Sequence, residues 1–79
     1  MDDIDSQPVH LVLSSDSALV FFEWLCRLDN RPVVDFEDQS EQRVVWDLIA
    51  DLETKVPVLS DKYSDLLTAA RDRVRDATD

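Results

Sequence analysis

No glycine occurs anywhere in these 79 residues. That absence removes phosphate-binding P-loops, dinucleotide fingerprints and nucleophile elbows together, because each needs glycine where the backbone turns sharply or approaches a ligand. It also weighs against a calcium loop, which wants a glycine at its sharp turn. Cysteine is nearly absent too. Cys26 stands alone, so no intramolecular disulfide can form and a secreted disulfide scaffold is excluded. One histidine and one cysteine cannot build a zinc site of the usual kind. Bases are scarce, 8 against 18 acids, for a formal net charge of -10. Phosphate binding needs a basic surface, so no direct nucleic-acid contact is expected. No apolar run approaches the ~20 residues of a membrane span, so no membrane contact is expected. The start, MDDIDSQP, is the opposite of a signal peptide's basic leader, and the expected localisation is cytoplasmic.

What is present is helical. Residues 38–56, DQSEQRVVWDLIADLETKV, carry Val45, Leu48, Ile49, Leu52 and Val56 on one face at helical spacing. Asp38 and Glu41 read as a capping box, with Asp38 accepting from the third helical amide and Glu41 reaching back to the cap amide. Pro57 ends the element, since the residue before proline is pushed out of the α region. This stretch reads as the helix around which the chain is organised. Trp46 lies off its stripe, turned by roughly 100° from the centre, and serves either a second contact or a partner.

In chain order, residues 1–8 are polar and read as a flexible acidic N-terminus, followed by a single helical domain over 9–77. Residues 9–13, VHLVL, have the pattern of a short strand. Such a strand needs a mate. The choices are residues 32–36, a second copy of the chain, or no ladder at all but extended chain packed on the helices. His10 within it reads as a solvent-facing or half-covered residue rather than a ligand, there being no second histidine. Ser14, Ser15, Asp16 and Ser17 supply N-caps for a helix over 17–29, SALVFFEWLCRLD. Its apolar residues cover most of the circumference, leaving Glu23, Arg27 and Asn30 as a narrow polar wedge. A helix apolar almost all round is central or shared with a partner. Cys26 falls inside the apolar arc and reads as a small core residue rather than a nucleophile.

Asn30 can take the left-handed conformation that ends a helix. Val33, Val34 and Phe36 in the connection form a short strand or anchor it to the core. Asp35, Glu37, Asp38 and Glu41 form an acidic cluster read as capping plus solvated charge, with no metal expected. Ser60 starts a third helix over 61–77, with Tyr63, Leu67, Ala70, Val74 and Ala77 on its stripe. Its acids come early and its arginines late, in agreement with the helix dipole. Those arginines alternate with Asp72 and Asp76, a salt-bridged face rather than a nucleic-acid patch. The fold class is therefore mainly α, a three-helix domain with a short N-terminal β-strand or extended segment. The expected core is Leu19, Phe22, Leu25, Val45, Leu48, Ile49, Leu52, Leu67, Ala70 and Val74.

LVFFEWLCRL and FEDQSEQRVVWDLIADLE resemble a pattern, EWL…FEDQxEQRVxWDL, that recurs in small acidic bacterial proteins. The likeness covers about half the chain. It implies a bacterial or phage origin and carries no activity and no site residues.

These readings point away from catalysis: no enzyme, no cofactor and no small-molecule substrate are expected. They point towards a protein-binding module, such as a regulator, an inhibitor or an immunity-type partner of a larger protein. The alternatives are a homodimeric structural subunit and an anionic mimic of nucleic acid, which needs carboxylates spaced like phosphates. The expected interface is Val20 and Trp24 with Glu23 and Arg27 as a polar rim, joined by Val9 and Leu11 of the neighbouring segment.

Overall fold

A computed structural model describes residues 7–32 and 35–77. The N-terminal acids at 2, 3 and 5 lie outside the described residues, as do Val33 and Val34, whose expected strand or anchor role falls there. Three helices follow in order: α1 over Ser15–Asp29, α2 over Gln39–Glu53 and α3 over Tyr63–Asp76. Among the described residues there is no strand, and residues 9–13 carry no regular element. No helix among them is long and apolar enough to cross a membrane.

Each helix start has a local cause. Ser14 caps α1, its Oγ accepting the Ser17 amide at 3.0 Å. The capping box of α2 forms one residue out of the expected register. Asp38 accepts from the Ser40 amide at 2.8 Å, the second helical amide rather than the third. Glu41 Oε1 reaches past the cap to the Glu37 amide, also at 2.8 Å. The orphan amides are satisfied either way. Helix α3 begins later than expected. Ser60 turns the chain by accepting the Lys62 amide on its hydroxyl (3.0 Å) and the Tyr63 amide on its carbonyl (3.1 Å), and Lys62 then takes the cap position with no side-chain bond.

The ends differ from expectation in the same local way. Asn30 is not left-handed: its φ is -90°, and its Nδ2 instead donates to the Cys26 carbonyl at 2.8 Å. Helix α2 stops at Glu53, short of Pro57, with the Thr54 hydroxyl bonded to the Asp51 carbonyl at 2.9 Å. Proline keeps Val56 out of the α region, and the chain unwinds two residues ahead of it.

The helix that organises the chain is α1, not α2. Both α2 and α3 pack on α1, while no α-carbons of α2 and α3 approach within 8 Å of each other. Helix α3 runs antiparallel to it, and α2 crosses it on the other flank. Trp46 Nε1, midway along α2, donates to Asp29 Oδ1 at the end of α1 (2.8 Å). Arg73 near the end of α3 grips Asp16 at the start of α1 through two hydrogen bonds of 2.7 and 2.8 Å. Tyr63 at the start of α3 donates its hydroxyl to Glu23 Oε1 at 2.9 Å. The broad apolar circumference of α1 is what allows two neighbours to share it.

The core consists of Leu19, Phe22, Leu25, Val45, Leu52, Val56, Leu67 and Ala70. Leu48, Ile49 and Val74, expected inside, are half-buried at its margin, and Val56 is buried in their place. Val45 and Leu52 are buried in the core, whereas Leu48 stays half-buried beside an open groove. The helical phase is as expected and the centre of the stripe is shifted.

Candidate functional site

Two shallow hollows flank Phe21, each of about 330 Å³. One lies between α1 and α3. Its walls are Val20, Phe21 and Trp24 of α1 and Val74 of α3, with Ser17 and Arg27 at the rim. The other lies between α1 and α2, walled by Phe21, Leu48 and Leu52 and overhung by Val9, Leu11 and Leu13. The ion pair of Asp51 and Lys55 stands at its edge.

The first hollow follows from helical geometry. Val20, Trp24 and Arg27, at steps of four and three, share the side of α1 that faces away from Leu19, Phe22 and Leu25. Because Trp24 lies on the side of α1 away from the core, the described residues cover it only in part, and it stays 44% exposed. The Phe21 and Trp24 rings stack across one turn, with centroids 6.3 Å apart and planes 16° from parallel. That stacking holds the indole against the helix.

The six residues expected at the interface are thus divided. Val20, Trp24 and Arg27 come together in the α1–α3 hollow. Val9 and Leu11 border the other one, with Phe21 as the shared wall. Glu23 belongs to neither. It is half-buried and takes the Tyr63 hydroxyl, so it ties α1 to α3 instead of forming a free rim. Phe21 and Val74 were missing from the expected interface. Phe21 reads in sequence as one more member of the apolar arc, and Val74 reads as core; only the antiparallel docking of α3 brings Val74 opposite Val20.

Cys26 is half-buried. Burial pushes its thiol pKa up, and the carboxylates of Glu23, Asp29 and Glu53 push it further, so the sulfur stays protonated at neutral pH. Burial, then the Glu23 carboxylate, pushes the Tyr63 hydroxyl far up as well. His10 is exposed on the N-terminal segment. Hydrogen bonds from the Ser40 side chain and amide hold Asp38 below the usual carboxylate range, as expected of a cap. In the acidic connection, the carboxylates that make contacts are engaged with backbone amides. Among the described residues, no three His, Cys, Asp or Glu side chains are grouped so as to hold a metal ion, and no buried side-chain polar atom lacks a partner. Compared with known protein families, curated proteins and solved structures, the chain finds no significant match, so its geometry is the ground on which a function has to be argued.

Proposed function

We propose that this chain is a small, non-catalytic, cytosolic binding module that docks on a basic protein through the Trp24 hollow. The observation that carries this reading is the clustering of Val20, Phe21, Trp24 and Val74 around one open apolar depression with Arg27 at its edge. Exposed tryptophan beside aliphatic walls has the character of an interface hot spot. Surplus apolar surface in a folded chain is commonly covered by something. The net charge of -10 decides the kind of cover. Two copies of this chain repel one another, whereas a basic partner is attracted and steered. The partner is therefore a protein that presents an apolar side chain to the hollow and bases around it. The protonated Cys26 and Tyr63 support a role without catalysis.

Of the three roles open to residues 9–13 in the sequence, we propose extended chain lying on the helices rather than a paired strand. Its apolar residues border a helical groove and no described segment offers it a ladder.

Light scattering on the purified chain and capture of a basic partner from a bacterial lysate form the test. A monomer near 9.1 kDa is expected, with a partner retained by the native chain and lost with Trp24→Ala, which should weaken association by about 2 kcal/mol or more. The variant should keep its helical circular dichroism, since Trp24 is outside the core. A stable dimer that shields Trp24 from a fluorescence quencher, or a complex indifferent to the substitution, would overturn the proposal.

A further inference from the structure

The groove between α1 and α2 is bounded on its third side by the chain's own N-terminal segment. We infer that residues 9–13 act as a strap, hinged at Ser14, that closes onto the apolar floor formed by Phe21, Leu48 and Leu52.

Four observations lead there. The first is the alternation of side chains. In extended chain, every second residue points to the same side. The three residues that border the groove are Val9, Leu11 and Leu13, while Val12 between them is 98% exposed and His10 is not part of the wall. The segment thus presents one apolar edge to the helices. The second is a gradient of burial. Leu13, next to the hinge, is 45% exposed, and Leu11 and Val9 farther out are 81% and 85% exposed. The segment is seated at its anchored end and stands off at its far end. The third is the hinge itself. Ser14 is fixed as the cap of α1, its hydroxyl accepting the Ser17 amide and its carbonyl the Ala18 amide at 2.9 Å. Among the described residues, no backbone hydrogen bond ties 7–13 into a ladder.

The fourth is reach. Val9 to Leu13 spans about 13 Å of extended chain. The stretch of α2 that forms the floor, Leu48 to Leu52, spans about 6 Å of helix. The strap is long enough to lie along the whole floor. Closing would cover Leu48, the half-buried stripe residue of α2 on the groove, together with the α2-facing side of Phe21. Its backbone would stay at the surface, where water satisfies the amides. Ordering a short segment opposes the apolar gain, so the closed state is one that a competing ligand could reopen.

Methyl-labelled full-length chain tests this directly. Cross-peaks from the Leu11 methyls to the Phe21 ring and the Leu48 methyls are expected, with Leu11 methyl shifts displaced from those of a free peptide by the ring current. Free-peptide shifts without cross-peaks would overturn the inference. So would cross-peaks found only between chains in a mixture of labelled and unlabelled protein, because the strap would then belong to a second copy. Leu11→Ser supplies an independent reading, since Leu11 lies outside every helix and its change leaves the fold intact. Dye binding to exposed apolar surface should rise severalfold with unchanged helical circular dichroism. Dye binding equal to that of the native chain would equally overturn it.

Discussion

The Tyr63 hydroxyl and the Glu23 carboxylate meet where α3 begins to pack on α1. Both residues are half-buried. Removing one partner leaves the other short of a bond in a part-buried place. Tyr63→Phe should therefore lower stability by about 1–2 kcal/mol in urea unfolding. Burial of the hydroxyl, reinforced by the same contact, gives a pH signature. The native hydroxyl titrates far above its ordinary value of 10.0, so its contribution is complete below pH 10.0 and is lost as pH rises beyond it. Tyrosinate absorbance should lag behind that of free tyrosine and appear together with unfolding. A native-state titration at the ordinary value would contradict the Glu23 contact.

Asp16 and Arg73 form the opposite case. The Arg73 guanidinium holds the Asp16 carboxyl below its usual 3.8. Its contribution is present above pH 3.8 and fades as pH falls through the lowered value. Asp16→Asn should be slightly less stable than the native chain at neutral pH. The difference should vanish in strong acid, where both side chains are uncharged at that position. Arg73 is 61% exposed, so solvent screens the pair although Asp16 is half-buried, and the neutral-pH effect is small.

At the scale of an element, the three helices differ in what their stripes accomplish. Leu25 of α1 is 2% exposed between both neighbours. Leu25→Ala should cost about 2–5 kcal/mol, a large share of what so small a domain possesses. Leu48 of α2 sits half-buried over the groove, and Leu48→Ala should cost nearer 1–2 kcal/mol, since only part of its side chain leaves an apolar contact. Thermal unfolding of the two variants side by side checks the order. Equal costs would mean that Leu48 is as fully enclosed as Leu25, more than a short surface strap can achieve. The cap of α2 makes a separate contribution. Asp38→Ala should cost about 1 kcal/mol through the loss of its bond to the Ser40 amide.

For the whole molecule, the acidity has a partly local explanation. Asp16, Asp51, Asp72 and Asp76 pair with arginine or lysine. Glu23 and Asp29 hold Tyr63 and Trp46, and Asp38 and Glu41 cap α2. Among the described residues, eight acids are thus engaged within the fold. Engagement of the carboxylates at 38 and 41 with amides also predicts that excess chelator leaves the melting curve where it was. A drop restored by calcium or magnesium would place an ion in that connection.

The helical class, the three segments and most of the core were legible in the sequence, because periodicity and capping are local properties. The polypeptide carries its own apolar spacing and its own serines and aspartates at the helix starts, whatever the helices later touch. Even there the register of the α2 cap and the start of α3 shifted by one or two residues, since several neighbouring groups could satisfy the same orphan amides. The surplus of apolar surface on α1 was legible too, and with it the exposure of Trp24. What the sequence could not express was which side of each helix meets which neighbour. A stripe does not say whether its centre faces the core or a groove, so Leu48 and Val74 moved outwards and Val56 moved in. Glu23 reads like any surface carboxylate until α3 docks antiparallel and brings Tyr63 to it, 40 residues away. The same docking put Val74 beside Trp24, and the docking of α2 set Leu48 beneath residues 9–13. These pairings depend on contacts between segments far apart in the chain, and only the tertiary structure decides them.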